Sequence, residues 1–324
     1  MKKQIVLTRR LQEECMYELG QHFELEVVGG DETPKREDLL RSLQGKEALI
    51  CTVAEKIDPE LMEACPDLRI ISNYGVGFDN IDVSAANRRG ILVTNTPDVL
   101  TDATADLTWA LMLSVARRAV EGDRLIRNGQ WHGWAPHFML GWDVSGKTLG
   151  IVGMGRIGQA VARRAIGFNM RILYYSRTRL KEEQEKELRA QYCDLDELLA
   201  QADFVSLHTP YSPETHHLIG HEQLSKMKRT AFLINTARGA VVDEQALIHA
   251  LQSGKIAGAG LDVFEQEPYV PDELRQMEQV VLIPHLGSAT RETRLAMGRK
   301  VIENLTAYFR GEKPPYLVNP EIWC

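Results

Sequence analysis

Short runs of β-branched and aliphatic residues recur along the chain, and the segments between them are charged and carry apolar positions at helical spacing. "QIVLT" (4–8), "LEVVG" (25–29), "ALICT" (48–52), "LRIIS" (68–72) and "ILVTN" (91–95) read as strands. A second set begins near residue 147, with "KTLGIVG", "MRILYYS", "ADFVSLH", "TAFLINT", "AGAGLDV" and "VVLIP" as six strand candidates. Between the sets, residues 101–131 predict a long helix that continues into a second one, with Thr101 or Asp102 as cap. The segment 291–312 is again helical and is stopped by Gly311 and then Pro314-Pro315. Alternation of this kind predicts an α/β fold of two doubly wound parallel sheets. The last helix is expected to pack on the first unit. That gives a discontinuous domain of residues 1–100 and 288–324 around a domain of residues 101–287.

Composition narrows the function. At 324 residues the chain is too long for one ordinary core, which agrees with two domains. A hydrophobic content of 44% and a charged content of 26% are those of a globular protein in water. A net charge of −7 argues against a nucleic-acid partner, which needs a basic face. The five cysteines are scattered, with no C-x-x-C spacing, as in a reducing cytoplasm and without the look of a zinc site. The opening "MKKQIVLTRRLQEE" turns charged too soon for a signal peptide or a membrane span, so a cytoplasmic protein with no membrane partner is expected.

The first candidate chemistry lies in "TLGIVGMGRIGQAVARRAIGF", which contains Gly153-x-Gly155-x-x-Gly158 after an apolar strand and at the head of a helix. In that context Gly153 permits the tight turn, Gly155 admits a pyrophosphate close to the backbone, and Gly158 lets helix and strand approach. The helix N-terminus supplies N–H groups to phosphate oxygens. The next strand ends at Ser176-Arg177-Thr178-Arg179, where NAD-selective folds carry a carboxylate for the ribose 2′-hydroxyl. A hydroxyl and two guanidinium groups suit a 2′-phosphate, so NADPH is favoured and NADH remains possible. The other reading of Arg177 and Arg179 is a pair of exposed charges at a helix start.

Three later strands each lead into ionisable residues: Arg238 after "FLINTA", Asp262 and Glu267 after "AGAGL", and His285 after "VVLIP". Ligands of open parallel sheets bind beyond the carboxyl ends of the strands, so these groups are aimed at one region. The set suits reduction of a 2-oxo acid. Arg238 can hold a carboxylate, and a histidine can give a proton near neutral pH to the alkoxide that hydride addition creates. Glu267 is the natural partner for the second ring nitrogen. Each residue taken alone is more ordinary as structure than as chemistry. Their succession behind a nucleotide loop carries the argument.

On "GIVGMGRIGQAVARR", "FLINTARGAVVDEQALIHALQSGKIAGAGLDVFEQEP" and "IPHLGSAT", the chain resembles the D-isomer-specific 2-hydroxyacid dehydrogenases over nearly its whole length. Within them it is similar to the glyoxylate/hydroxypyruvate reductase and 2-ketogluconate reductase branch. The resemblance implies a Rossmann-like NAD(P)-binding domain and a flavodoxin-like substrate domain with the active site in the cleft. It implies Arg238 as substrate anchor, Glu267 as partner of the histidine and His285 as acid/base. In "SNYGVGFDNID" it points to the main chain of Val76 and Gly77 as carboxylate ligands. Cofactor contacts are implied for Thr104, Arg156, Ile157, Ser176, Arg177, Thr178, Thr209, Pro210, Thr236, Ala237, Arg238, Asp262, His285, Gly287 and Ser288, together with Gly153, Gly155 and Gly158. A homodimer is implied too.

An NAD-linked dehydrogenase for another substrate class, such as phosphoglycerate, is the rival reading among enzymes, and a nucleotide-sensing corepressor-like protein is the rival outside them. The aromatic loop "NGQWHGWAPHFMLGWDV" (128–144) reads either as dimer contact and pocket wall or as a surface loop pinned by its aromatics. His216-His217 is expected to be exposed.

Overall fold

The computed structural model describes residues 2–323. In chain order its first elements are β1 (Lys3–Leu7), α1 (Glu13–His22), β2 (Phe23–Val27), α2 (Arg36–Ser42), β3 (Ala48–Thr52), α3 (Pro59–Ala64), β4 (Ile70–Tyr74), α4 (Val83–Arg88) and β5 (Leu92–Thr94). Then follow α5 (Thr101–Ala116), α6 (Ala119–Arg127), β6 (Thr148–Val152), α7 (Arg156–Gly167), β7 (Arg171–Tyr175), α8 (Glu182–Leu188), β8 (Ala190–Tyr192), α9 (Leu195–Gln201) and β9 (Phe204–Leu207). The remainder is α10 (His221–Lys226), β10 (Phe232–Asn235), α11 (Glu244–Gln252), β11 (Gly258–Leu261), α12 (Asp272–Gln276), β12 (Val280–Leu282) and α13 (Arg291–Phe309). The chain divides into two compact units, one made of Met1–Leu100 with Ala289–Cys324 and the other of Thr101–Ser288.

The first unit holds a five-stranded sheet in the order β2-β1-β3-β4-β5, with every pair parallel. Asp58 and Asp82 cap α3 and α4 by accepting from Leu61 N–H and Ala85 N–H, as short helices in crossovers need. The late segment completes this sheet. Asn319, fully buried, accepts from Val93 N–H at 2.8 Å and donates to Ile91 O at 3.0 Å. Helix α13 lies so close to α1 that a Cβ on Gly298 would sit 2.2 Å from Cys15 Sγ.

The second unit holds a seven-stranded parallel sheet in the order β12-β11-β10-β9-β6-β7-β8. Its strands are apolar on both faces because helices cover both. Leu149, Ile151, Ile172, Tyr174, Phe232 and Ile234 join the core under α5 and α7. Val152, Leu173, Val205, Leu207 and Leu233 join the core on the other face. The long helical stretch breaks at Arg118, which takes a left-handed φ of 54° and separates α5 from α6. Helix α5 starts at Thr101, so Thr101 and Asp102 lie in its first turn and not at a cap position outside it. Seven strands stand where six were expected. The additional one, β8, is three residues at the sheet edge, entered through a left-handed Arg189.

Candidate active site

In the second unit the order in which the chain adds strands reverses between β6 and β9, and the glycine loop sits at that switch point. Gly153 has φ 97°, and a Cβ there would meet the His208–Thr209 peptide after β9 at 2.7 Å. A Cβ on Gly158 would lie 2.2 Å from Gly153 O, so this glycine brings α7 onto the strand. Gly155 differs from both. Nothing in the protein lies within 4 Å of a Cβ placed on it, and its φ of −73° suits any residue. The fold therefore has no need of a glycine at 155. It is the N-cap of α7, no side chain caps that helix, and its first-turn N–H groups have no acceptor within the helix. Beside this loop Thr209 Oγ1 is buried with no partner. These features fit a pyrophosphate and its ribose. Gly155→Ala is expected to leave the melting temperature unchanged and to raise KM for the nicotinamide cofactor about tenfold, since only ligand approach is obstructed. Thermal unfolding and steady-state kinetics on one preparation check it.

Strands β10, β11 and β12 end in the ionisable cluster. Asn235, buried at the end of β10, donates to Arg238 O at 2.9 Å and accepts from Ala237 N–H at 3.0 Å, which shapes the turn that presents Arg238. Thr236 Oγ1 lies 2.9 Å from Thr108 Oγ1 on α5. Gly239 follows, and a Cβ there would lie 1.9 Å from the carbonyl carbon of Phe264. That contact docks the Arg238 turn against the loop that carries Glu267. Within the loop Glu267 Oε1 accepts from Phe264 N–H at 3.0 Å, and Oε2 lies 2.8 Å from His285 Nδ1.

His285 has φ 51°, a left-handed conformation uncommon outside glycine, and its side chain is one-third exposed at 33%. Asp262, 1% exposed, holds the turn after it by accepting from Leu286 N–H at 2.5 Å and Gly287 N–H at 2.8 Å. Thr104 Oγ1 on α5 donates to Gly287 O at 3.0 Å. Burial pushes the Asp262 carboxyl up to about 6, against the pull of those two amides and of His285. Burial also acts to raise the Glu267 carboxyl. The hydrogen bond and charge of His285 outweigh it, with help from Phe264 N–H and Arg238, and the net shift is downward.

At the end of β7, Arg177 and Thr178 lie at the surface and Ser176 is half-buried. Arg179 does not share their freedom. It forms two hydrogen bonds to Glu185, at 2.8 and 2.9 Å, and lies over the Tyr192 ring. Those bonds and the Tyr174 hydroxyl hold the Glu185 carboxyl down at about 2. Of the two arginines expected at a 2′-phosphate, Arg177 has no carboxylate within ion-pair distance among the described residues, although its charge helps to lower the Glu214 carboxyl.

In the first unit the loop after β4 is held by its carbonyls. Thr96 N–H donates to Gly75 O at 3.0 Å, Asn95 Nδ2 to Val76 O at 2.8 Å, and Asn73 Nδ2 to Gly77 O at 2.7 Å. A trans peptide sets each N–H opposite the preceding carbonyl, so the N–H groups of Val76 and Gly77 face away from these anchors. Asn73, Asn95 and Asn235 were not singled out from the sequence. An asparagine in or just after the last residues of a strand is the signal they share. Nor was His208, whose Nε2 lies 2.8 Å from Ser206 Oγ and which burial pushes down to about 3, so it is neutral.

Of the other histidines, His216 is exposed as expected. His217 is half-buried, with Nε2 2.9 Å from Glu265 Oε1, because a left-handed φ of 50° turns it inward. In the aromatic loop Trp131, Trp134, Phe138 and Trp142 are all exposed.

Known proteins resemble this arrangement over its full length. The family model described as D-isomer specific 2-hydroxyacid dehydrogenase, NAD binding domain, matches residues 109–287. A glyoxylate reductase of Pyrococcus horikoshii is 54% identical over 326 residues, covering 99% of this chain and 97% of that protein. Among solved structures, a protein of Thermus thermophilus superposes with a TM-score of 0.91 at 47% identity, covering 97% of this chain and 99% of its own. The NADPH-dependent glyoxylate/hydroxypyruvate reductase of Sinorhizobium meliloti, solved with NADP and malonate, gives 0.88 at 35% identity over 98% of this chain and 97% of that one.

Proposed function

The chain belongs to the D-isomer specific 2-hydroxyacid dehydrogenase family, in its glyoxylate reductase branch, and from that premise we propose that it reduces a small 2-oxo acid to the D-2-hydroxy acid with NADPH as preferred cofactor. It is an NAD(P)-dependent oxidoreductase. The observation that carries the finer reading is the 2.8 Å pairing of His285 Nδ1 with Glu267 Oε2. It orients the ring and leaves Nε2 to face a substrate.

A bound nicotinamide cofactor supplies the hydride that adds to the carbonyl carbon. His285 Nε2 gives its proton to the carbonyl oxygen as negative charge develops there, and Glu267 steadies the protonated ring. Arg238 takes the substrate carboxylate through parallel N–H donors, and the N–H groups of Val76 and Gly77 add main-chain donors to it. The cofactor is held by Gly153, Gly155, Arg156, Ile157 and Gly158 at its pyrophosphate, and by Ser176, Arg177 and Thr178 at its adenosine end. Thr209 and Pro210 continue the site after β9. Thr104, Thr236, Ala237, Asp262, Gly287 and Ser288 hold it towards the nicotinamide. NADPH oxidation measured with glyoxylate, hydroxypyruvate and 2-ketogluconate, and the configuration of the product, test this reading. No oxidation with any 2-oxo acid would sink it.

The cofactor preference rests on the surface end of β7, which offers hydroxyls and Arg177 where a carboxylate would repel a 2′-phosphate. Arg177→Ala is expected to lower kcat/KM for NADPH about tenfold and to leave that for NADH nearly unchanged, the size of one charge-assisted contact at an exposed site. Equal losses with both cofactors would refute it. We also infer a homodimer. Helix α6 has no buried residue among those described, and beside it the aromatic loop keeps Trp131, Trp134 and Trp142 at the surface. Among the described residues no helix is long and apolar enough to cross a membrane. A cytoplasmic setting would suit the buried, unpaired Cys15, Cys51, Cys65 and Cys193.

A further inference from the structure

The order β2-β1-β3-β4-β5 in the first unit means that the chain changes its direction of travel between β1 and β3. In open parallel sheets a crevice forms at such a point, beyond the carboxyl ends of the strands. A cavity of about 360 Å³ lies there. Its walls include Arg10 and Gln12 after β1, Thr52 at the end of β3 and Tyr74 at the end of β4, with Arg291 and Arg294 from the opening of α13.

The charge of this cavity is unbalanced. Arg9 also reaches its wall, but Arg9 Nε lies 3.0 Å from Glu55 Oε1, and that buried carboxylate is further held by Thr8 and Thr52. One acid and one base cancel. Arg294 lies over the ring of Tyr74, 5.9 Å from its centroid. Among the described residues neither Arg10 nor Arg291 has a carboxylate within ion-pair distance. Two guanidinium groups, those of Arg10 and Arg291, thus border one crevice beyond the Arg9–Glu55 pair in a chain of net charge −7. The wall that carries Arg291 is the first turn of a 19-residue helix whose N-terminal dipole has the same sign.

We propose that this cavity binds the anionic group, phosphate or carboxylate, of a small metabolite. Guanidinium groups match planar carboxylate and phosphate oxygens with paired donors, and Arg10 and Arg291 hold such an oxyanion from two sides of the crevice. The volume is that of a small-molecule site and exceeds what a bare oxyanion fills, so the anion carries a carbon body. None of the lining residues belongs to the catalytic set proposed above, so loss of phosphate binding and loss of glyoxylate reduction are separable outcomes.

The test is calorimetric titration of inorganic phosphate into the full-length protein in excess NADP+, which fills the nucleotide's own phosphate subsites. Arg10→Ala and Arg291→Ala are each expected to weaken phosphate about tenfold, and the double variant to abolish the heat. Both side chains are exposed, so the melting temperature of each variant is expected to match the parent. No phosphate uptake by the parent protein, or parental affinity in the double variant, overturns the proposal. A second arm separates two sources of the anion. If the double variant loses kcat/KM for oxaloacetate but not for glyoxylate, the oxyanion is the far end of a substrate. If both values are kept while phosphate binding is lost, it belongs to a separate ligand.

Discussion

Replacing His285 by Gln is expected to lower kcat for 2-oxo acid reduction about a thousandfold and to leave the dissociation constant of NADPH within about twofold. The amide can still fill the space beside Glu267, but it has no proton to give near neutral pH. Glu267→Gln complements it. The ring then lacks the carboxylate 2.8 Å from Nδ1 that stabilises its protonated form. A fall of about a hundredfold in kcat is expected. In the parent protein the Glu267 carboxyl lies below its ordinary range. The stability it contributes is present above that range and is lost only as the pH falls through its depressed value. Its protonation therefore cannot limit activity in neutral or mildly acidic buffers. Stopped-flow reduction of glyoxylate and NADPH fluorescence titration measure these quantities. A His285→Gln protein with more than about a tenth of the parental kcat would remove the proton-donor role.

Gly239→Ala carries the largest expected loss of stability. The added methyl has nowhere to go, since its carbon would fall 1.9 Å from Phe264 C and 2.0 Å from Phe264 O. Backbone cannot yield as a side-chain tip can, so the Arg238 turn and the Phe264–Glu267 loop must separate. Overpacking of this kind costs about 3 kcal/mol, which corresponds to roughly 6–12 °C in melting temperature for a unit of this size. Activity should fall further than stability predicts, because the turn bearing Arg238 and the loop bearing Glu267 are the parts forced apart. Gly155→Ala is the matched control, with open space around its methyl. Equal melting temperatures for the two variants would contradict the packing described here.

The inner strands of the two sheets were legible because they are buried on both faces and so read as apolar runs, whereas the edge strands β2 and β8 are partly exposed. β3 coincides with "ALICT", whereas β2 begins at Phe23, two residues before "LEVVG". The shift follows from α1, which ends at His22 and passes directly into the strand, leaving no loop residues to mark the boundary. Strand β8 escaped notice because "AQY" is too short and too polar to show a pattern. Only its pairing with β7 makes it a strand. The ionisable residues of the candidate site were readable one by one. The groups that set their geometry were not, since the roles of Asn73, Asn95 and Asn235 exist only once a turn has folded around them. Arg179 illustrates the converse. Sequence adjacency joins it to Arg177, and folding gives it to Glu185.

The second unit is one continuous stretch, Thr101–Ser288, while the first is split around it. During synthesis the inner unit has all its strands as soon as Leu282 has cleared the ribosome. The outer unit must wait with β5 uncapped until Asn319 arrives to bond Val93 and Ile91. The part of the chain made first is thus the last to mature, and in that interval its sheet edge is open to pairing with other chains.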